Sequence, residues 1–390
     1  MLQEASLNFN FSEAQNILRD SVRAQMDAIA TPEYCRRLDR EQLYPYELYK
    51  QWVQMGLLQM PFPVEYGGLG GNVIDITVIA EELGRKSFDF FTAYSNCVFC
   101  GLNLVRNGTE EQKRFWIPRI MAGEVKMSVS MSEPDAGSDV GAMRTTAHRD
   151  GKHWVINGQK LWATGAGAKN NVINVYAKTD REANYRNGIS LFLVDNDTSG
   201  LTLRKLDMLG RRGVGTYEIF FDNVRVPEDR LIGGENQGWK YVLSGLQIER
   251  MVVTAGYCGN LEAIMDLVVN YAKQRKQFGR PIGTNQAIAH MLADMQTSVE
   301  AARMLTLRAA WKLASGQDGL REISMAKLFA SETHVQIASQ GMQIFGAYGY
   351  NMEYDMQRLF RDARASTIGA GSSQMQRNVI ANLMGLKVRS

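Results

Sequence analysis

Residues 170–195 of the chain read NNVINVYAKTDREANYRNGISLFLVD. Two runs in this stretch, 171–178 and 189–195, are short, rich in β-branched and aromatic residues, and bounded by Gly, Asn and Asp, which is typical of neighbouring strands. Similar runs recur before and after them, and Asp150-Gly151 has the composition of a hairpin turn. The middle of the chain, residues 125–236, is therefore predicted to form an antiparallel sheet or barrel.

Helical periodicity lies on both sides of this predicted sheet. Apolar residues recur at helical spacing before it, and four long helical segments follow it, at 239–274, 286–315, 321–345 and 373–386. Because helices do not alternate with the strands, a parallel Rossmann sheet is excluded. The sequence predicts an α+β fold with an N-terminal helical domain (1–124), a middle antiparallel β domain (125–236) and a C-terminal helical domain (237–390).

The composition argues against several classes of protein. Lys plus Arg number 44 and Asp plus Glu 41, which gives +3 without long blocks of either sign, so nucleic acid is not an expected partner. The 4 cysteines are too few for a secreted disulfide framework, and the 4 histidines lack the spacing of metal ligands. Neither a signal peptide nor a long uninterrupted apolar run is recognisable, so we expect a cytoplasmic protein without a membrane partner.

Two segments of the predicted sheet have the composition of a binding site. Residues 131–139, MSEPDAGSD, place small residues and hydroxyls in one turn at the end of a strand, where backbone N–H groups can meet a polar ring or phosphate oxygens. Trp162-Ala163-Thr164 ends another strand with an aromatic ring and a hydroxyl, a pair suited to bracketing a flat heterocycle. An ordinary Gly/Ser turn and a core Trp are the alternative interpretations.

Glu249 is the most informative charged residue of the long helix that follows. It falls on an otherwise apolar stripe with Val242, Gly245, Leu246 and Val253. Burial of a carboxylate raises its pKa toward the range in which it accepts a proton from a weak carbon acid. The alternative is a structural Glu that pairs with Arg250 or with a neighbouring helix.

Taken together, these residues resemble the acyl-CoA dehydrogenase family over essentially the full length of the chain. The resemblance implies that family's fold, with a C-terminal four-helix bundle, and it implies FAD as the cofactor and a homotetramer as the assembly. The motifs that carry it are MSEPDAGSD (131–139), GQKLWATG (158–165), YEIFFDNVRVPEDRLIG (217–233), RKQFGRPIG (275–283), QIFGAYGY (343–350) and RDARASTIGAGSSQMQR (361–377).

The resemblance also assigns the FAD contacts residue by residue. The isoalloxazine ring is expected against Val129, Met131, Ser132, Gly137, Ser138, Trp162 and Thr164, with Ser372 and Gln374 near the ring system. The adenine and pyrophosphate end is expected to reach a neighbouring subunit through Arg275, Phe278, Gln286, Gln343, Gly346 and Ala347. An Arg suits pyrophosphate oxygens, and glycine allows close approach of the backbone.

The resemblance places the catalytic base on the long helix. Many family members have their Glu in a C-terminal I-Y-E-G-T-S-E loop, whereas residues 368–374 here read IGAGSSQ. The branch similar to isovaleryl-CoA and long-chain acyl-CoA dehydrogenases takes the Glu from an L-x-x-E-R helix, which residues 246–250 match. Glu249 is thus expected to remove the α-proton of an acyl-CoA thioester while a β-hydride passes to flavin N5, giving the trans-2-enoyl thioester. The expected substrate contacts are Ser138, Gln247, Arg250, Ala370 and Gly371.

Several expectations remain coarser. Small residues in the C-terminal loop predict room for a short or branched acyl chain, and electron-transferring flavoprotein is the expected acceptor. Asp135, Ala347 and Gln374 depart from the usual family residues but keep volume or polarity, so FAD binding is still expected. An acyl-CoA oxidase or a flavin monooxygenase on the same fold is the alternative function, and a non-catalytic or nucleic-acid-associated relative is a third.

Overall fold

The computed structural model describes residues 11–388 of the 390, and the side chain of Leu246, part of the predicted stripe, lies outside the described residues. Residues 1–10 and 389–390 also lie outside the described residues. They are the first residues of the predicted N-terminal domain and the last of the predicted C-terminal domain. The described part of the chain begins with six α-helices: α1 (Glu13–Ile29), α2 (Pro32–Glu41), α3 (Tyr46–Gln54), α4 (Val73–Lys86), α5 (Phe88–Asn107) and α6 (Glu110–Met121).

Three of these helices begin at reciprocal caps. At the start of α1 the Ser12 hydroxyl accepts from the Gln15 backbone N–H while the Gln15 side chain accepts from the Ser12 backbone. Asn72 with Asp75 and Thr109 with Gln112 form the same arrangement at α4 and α6. Each cap satisfies backbone donors that have no partner within the helix, so local sequence fixes these starts.

Seven strands form the middle of the chain in one sheet of order β1-β4-β2-β3-β7-β6, with β5 paired to β4. The hairpin β2–β3 turns at Gly151, whose φ is 59°, as the Asp-Gly pair predicts. The strands are β1 (Lys126–Ser130), β2 (Thr146–Asp150), β3 (His153–Thr164), β4 (Asn171–Lys178), β5 (Ile189–Asp195), β6 (Leu201–Leu206) and β7 (Thr216–Pro227).

The pairing of this sheet differs in one respect from the prediction. Four of its strand pairs are antiparallel, but β1 and β2 run parallel to β4. The hairpin β2–β3 separates β1 from β4 in the chain, and this long connection allows β4 to run in the same direction as β1. Hydrophobic alternation does not encode strand direction, and for that reason the sequence did not reveal the parallel pairs.

Helices return after β7, as predicted. α7 spans 37 residues, about 55 Å at the usual helical rise, and α7, α8, α9 and α12 pack together. By length and hydropathy α7 could cross a membrane, but 67% of its most apolar window is buried, as in a core helix. The elements are α7 (Gly238–Gln274), β8 (Lys276–Gln277), β9 (Arg280–Pro281), α8 (Gln286–Ala314), α9 (Leu320–Phe345), α10 (Ala347–Tyr350), α11 (Asp355–Ala363) and α12 (Ser373–Leu383).

Glycines allow the N-terminal helices to lie directly against α7. A Cβ on Gly84 of α4 would be 2.2 Å from the carbonyl oxygen of Gly256, and one on Gly259 would be 1.8 Å from that of Glu81. The ring of Phe91 on α5 fills the space over Gly256 in the same way. Because only glycine permits this approach, α5 is held beside the part of α7 that carries Glu249.

Candidate active site

The first two predicted cofactor segments lie side by side at one edge of the sheet. The Leu161 N–H donates to the Ser132 carbonyl oxygen over 2.9 Å, so the turn after β1 is joined to the end of β3. The buried Lys160 Nζ donates to the Met131 carbonyl oxygen and to Glu133 Oε1, each at 2.9 Å. The structure therefore brings Met131 and Ser132 next to the strand that ends with Trp162 and Thr164.

Glu133 and Lys160 hold the shape of this turn from inside. The Glu133 carboxylate also accepts from the backbone N–H groups of Arg144 and Thr145, at 2.6 and 3.0 Å. Burial favours a raised pKa for Glu133, but the charge of Lys160 and these hydrogen bonds hold it below its usual value. Burial lowers the pKa of Lys160 to about 8, with Glu133 opposing the shift.

Trp162 projects out of the sheet at a bulge. The register between β3 and β7 shifts between Lys160 and Ala163, and Trp162 between them has φ 66° and is 54% exposed. A bulge re-aims a side chain in this way, and an exposed indole face offers a stacking surface. The alternative interpretation of Trp162 as a core residue is wrong, because more than half of its surface is exposed, whereas Trp154 lies in the interior of the sheet.

The other predicted contacts of this edge are exposed or half-buried. A Cβ on Gly137 would have no atom within 4 Å, and Ser138 beside it is exposed. Val129 on β1 is partly buried against the N-terminal helices. Thr164 Oγ1 lies 3.4 Å from Thr216 Oγ1. The edge thus combines an exposed aromatic face, hydroxyls and an open glycine turn.

Glu249 lies partly buried on α7. Among residues 11–388, none pairs with its carboxylate within 4 Å or hydrogen-bonds to it, so pairing with Arg250 does not occur. Burial raises the pKa of Glu249, and the charges of Arg250 and Lys327 oppose the shift. Burial also raises the pKa values of Cys100 and Tyr176, and the charge of Glu249 adds to both shifts.

The C-terminal loop 368–371 is held against the same part of α7. Arg250 is buried, and its Nε donates to the Ala370 carbonyl oxygen at 3.4 Å. Ala370 and Gly371 both have left-handed φ values, 53° and 81°. Gln247 lies two residues from Glu249, about 200° around the helix, and so does not share its face.

A cleft of about 510 Å³ borders this loop at Ile368 and Ser372. Predicted cofactor contacts Ser372 and Gln374 line it, together with Glu332, Arg364 and Ile368. Ser372 caps α12, its hydroxyl accepting from the Met375 N–H at 3.3 Å. The cleft presents hydroxyl, amide and guanidinium groups, which are the partners that a ribityl chain and phosphate oxygens require.

The remaining predicted contacts gather at the far end of α7. Arg275 directly follows the helix, about 40 Å along its axis from Glu249, and its guanidinium lies 5.1 Å from the Tyr348 ring. Tyr271 stacks on Phe345 at 4.0 Å, which brings the end of α9 with Gln343, Gly346 and Ala347 to the same place. Phe278, at the tip of the β8–β9 hairpin before Gln286, is 100% exposed.

The N-terminal end of α7, by contrast, packs on the sheet. A Cβ on Gly238 would lie 2.8 Å from the Ile189 carbonyl oxygen, and Trp239 packs edge-on against Tyr185 at 4.9 Å. The predicted FAD contacts on the sheet and those around Arg275 therefore lie toward opposite ends of one long helix, and the described chain does not bring these two groups together.

Sequence reasoning missed the residues that hold the site in shape. These are Lys160 and Glu133, described above, and Lys327 on α9, whose Nζ donates to the carbonyl oxygens of Ser366 at 2.9 Å and Gly371 at 2.8 Å. Only the isolation of Lys327 in the apolar run SMAKLFA gave a signal. In the part of the chain that the structure describes, no group of three His, Cys, Asp or Glu side chains is arranged to hold a metal ion.

Comparison with known proteins identifies the family. Models of the N-terminal, middle and C-terminal domains of acyl-CoA dehydrogenases match residues 12–124, 128–224 and 236–385. The chain belongs to the acyl-CoA dehydrogenase family. The predicted fold, an N-terminal helical part, a middle β part and a C-terminal helical part, is thereby confirmed.

Individual members are similar over nearly their whole length. A probable acyl-CoA dehydrogenase of Bacillus subtilis is 38% identical over 377 residues, 96% of this chain and 99% of the relative. The mitochondrial isovaleryl-CoA dehydrogenase of Solanum tuberosum is 37% identical over 96% of this chain and 91% of its own length. A solved glutaryl-coenzyme A dehydrogenase in complex with glutaryl-CoA superposes with a TM-score of 0.93 at 33% identity, covering 98% of both chains.

Proposed function

We propose that this protein is an FAD-dependent acyl-CoA dehydrogenase in which Glu249 is the catalytic base. Membership of the family supports the reaction class, the oxidation of a CH–CH bond in an acyl-CoA thioester. The observation that carries the assignment of the base is the placement of Glu249, an unpaired carboxylate of raised pKa directly before Arg250, which donates to the C-terminal loop. No carboxylate is present in that loop itself.

The residues at the sheet edge fit FAD. The exposed Trp162 ring offers a face for the isoalloxazine, and the turn at Gly137 has open space around it. The cleft at Ser372 and Gln374 supplies polar groups of the kind that a ribityl chain or phosphate requires. When bound, FAD supplies the acceptor for the hydride that leaves the β-carbon.

Glu249 removes the α-proton of the thioester. A carboxylate with an ordinary pKa is a weak base toward a carbon acid, and burial of Glu249 raises that basicity. The absence of a hydrogen-bond partner among residues 11–388 leaves both carboxylate oxygens free to accept the proton. Arg250 does not neutralise Glu249 through a direct pair, because its guanidinium is turned to the Ala370 carbonyl.

The loop at Ala370 polarises the thioester carbonyl. In the described chain, the backbone N–H groups of Ala370, Gly371 and Ser372 make no hydrogen bond to protein. Backbone donors that are already oriented stabilise negative charge on a carbonyl oxygen as the α-proton leaves. Small side chains at residues 369–371 leave room for a short or branched acyl chain next to Glu249.

The division of the FAD contacts between the two ends of α7 supports an assembly of at least two copies, for which we propose a homotetramer. Arg275, Phe278 and Gln343 are too far along α7 from the sheet edge to serve the cofactor bound there in the same chain, so a second copy would supply them. The fully exposed Phe278 is consistent with burial against such a copy. We further propose electron-transferring flavoprotein as acceptor and the cytoplasm as location.

An anaerobic titration of the purified flavoprotein with straight, branched and aromatic acyl-CoAs tests the function. Rapid bleaching of the flavin by one class is expected, and Glu249→Gln should slow it by about 1,000-fold or more, since a neutral amide cannot accept the proton. The matched control is Glu262→Gln on the same helix, a partly exposed residue that pairs with Arg23 at 3.3 Å. Bleaching of Glu249→Gln at the wild-type rate would contradict the assignment of the base.

The pH dependence of bleaching gives a second test. Glu249 acts only when deprotonated, so the rate should fall as the pH drops through its pKa, and that midpoint should lie above the ordinary 4.5. Stopped-flow bleaching between pH 5 and 9 measures it. Peroxide formed in step with substrate in air would favour an oxidase instead.

A further inference from the structure

Lys327 is an unusual residue because its buried charge has no carboxylate partner. It lies on α9 with no exposed surface, and within residues 11–388 no Asp or Glu oxygen approaches its Nζ to 4 Å. A buried cation without an ion pair costs stability unless polar groups surround it. Here those groups are two backbone carbonyls, of Ser366 and Gly371, at 2.9 and 2.8 Å.

These two carbonyls lie at the two ends of the C-terminal loop. Ser366 precedes it and Gly371 closes it, so one ammonium group joins both ends. Gln376 Nε2 also donates to the Gly371 carbonyl, at 3.0 Å, and Arg250 to that of Ala370. Three side chains from α7, α9 and α12 therefore turn the loop carbonyls inward.

The inward carbonyls determine where the loop amides point. In a trans peptide the N–H and C=O groups point in opposite directions. With the carbonyls of Ala370 and Gly371 turned toward Lys327, Arg250 and Gln376, the N–H groups of Gly371 and Ser372 face the other way. The left-handed φ of Ala370, 53°, is unfavourable for alanine and needs such support.

We propose that Lys327 is a positioning residue of the active site, which clamps residues 366–371 in the conformation that keeps the N–H groups of Ala370, Gly371 and Ser372 free of protein partners within the described chain. Lys327 touches neither substrate nor cofactor in this role and acts through the loop. The inference rests on the proposed function for its kinetic consequence, but the clamp itself is a property of the fold.

Lys327 also contributes a positive charge that acts on the catalytic base. The charged groups that face Lys327 are Arg250 and Glu249 from α7 and Glu332 from its own helix. Glu332 is occupied by Arg377, at 2.7 Å. The charge of Lys327 acts to lower the pKa of Glu249, so removal of the charge should move the pKa of the base upward.

Hydrogen–deuterium exchange of the holoprotein tests the clamp without reference to activity. In Lys327→Met, peptides covering residues 366–372 should exchange about tenfold faster or more at the amides of Ile368 and Gly369, which donate to the Ala365 carbonyl oxygen at 3.1 and 3.0 Å, because the loop ends lose their shared donor. Exchange elsewhere should not change. The matched control is Lys312→Met on α8, whose side chain is partly exposed and pairs with Glu322 at 3.0 Å.

Kinetics of flavin reduction by an acyl-CoA test the consequence. A displacement of about 1 Å in a positioned group can cost about 100-fold, so Lys327→Met should bleach about 100-fold more slowly with a much smaller change in KM. The acid limb of its pH profile should move to higher pH, which a purely structural role would not produce. Lys327→Gln, which keeps a donor and loses the charge, should show the same shift in the acid limb.

Each outcome decides the proposal. Unchanged exchange of the loop, or a folded FAD-loaded variant with wild-type rate and acid limb, would overturn it. Failure of both variants to fold with FAD would also overturn it, since Lys327 would then be a determinant of folding. If the loop exchanges faster in Lys327→Met but no acyl-CoA bleaches the flavin of the wild-type protein, the clamp is retained and the proposed function is rejected.

Discussion

Two turns of this protein are each held by a fully buried lysine, and the two lysines differ in their partners. Lys160 holds the turn after β1 through the Met131 carbonyl and pairs with Glu133 at 2.9 Å. Lys327 holds the loop before α12 through two carbonyls and, among the described residues, meets no carboxylate. Burial lowers the pKa of each to about 8.

The difference follows from what each turn has to do. The turn after β1 needs only a fixed shape, and a neutralised pair provides it without a net charge in the interior. The C-terminal loop lies next to Glu249, and a carboxylate paired with Lys327 would add a second negative charge beside the base. Lys327, which has no counter-charge among the described residues, therefore lowers the stability of the fold. It lies where its positive charge acts on Glu249, the base of the proposed reaction.

The largest expected effect comes from breaking the neutralised pair. Lys160→Met should lower the free energy of unfolding by about 3–5 kcal/mol, because the buried Glu133 loses its counter-charge. Lys327→Met leaves only the Ser366 carbonyl without a donor, because Gln376 still donates to that of Gly371, and it should cost about 1–3 kcal/mol. Urea unfolding of both variants measures the difference.

A double variant controls this first prediction. Lys160→Met combined with Glu133→Gln should cost less than the sum of the single changes, since no unpaired charge remains. Arg149→Met, which breaks the exposed pair with Glu228 at 2.7 Å, should cost about 0–1 kcal/mol. Equal costs for Lys160→Met and Lys327→Met would mean that the partners of the two lysines do not matter.

A smaller effect is expected from adding one methyl group to each turn. At Gly371, with φ 81°, a Cβ would lie 2.7 Å from Gln376 Nε2, so Gly371→Ala should cost about 1–3 kcal/mol and slow flavin bleaching. At Gly137 a Cβ would have no atom within 4 Å, so Gly137→Ala should stay within about 0.5 kcal/mol of wild type before FAD is added. Thermal unfolding of the apoprotein tests both, and a reversed order would contradict the described loop conformation.

The smallest effect is a pH dependence that the two lysines share. Each folded pKa lies near 8, below the ordinary 10.5, so above pH 8 the unfolded chain binds more protons and this contribution to stability rises with pH. Between pH 7.5 and 9 the gain is about 1 kcal/mol per lysine. The difference in free energy of unfolding between wild type and Lys327→Met should therefore change with pH. A difference that stays constant would show that Lys327 keeps an ordinary pKa.

Much of the fold could be predicted from local pattern. The helix over 239–274 and the hairpin at Asp150-Gly151 follow from apolar spacing and turn residues, and both are present. The segments around Met131 and Trp162 could be marked as a site because their composition is unusual for ordinary turns. Contact between them could not be read, since the hydrogen bond from Leu161 to Ser132 spans a gap in sequence that carries no pattern.

The residues that support the site were not predictable for a similar reason. Lys327 lies 44 positions before the Gly371 carbonyl that it holds, and a single lysine in a helix gives no indication of its partner. The exposure of Trp162 depends on a bulge, which requires the partner strand β7 to define it. The place of Glu249 on its apolar stripe was visible, but the lack of a partner was not.

By itself, the sequence determined the order of helices and strands, the family, and the candidate base, because periodicity, caps and motifs act over a few neighbouring residues. Only the tertiary structure decided that Glu249 is unpaired, that two buried lysines hold the turns, and that the predicted FAD contacts divide between the two ends of α7. Those facts depend on the burial of charge and on contacts between distant segments, and desolvation exists only once the chain has packed.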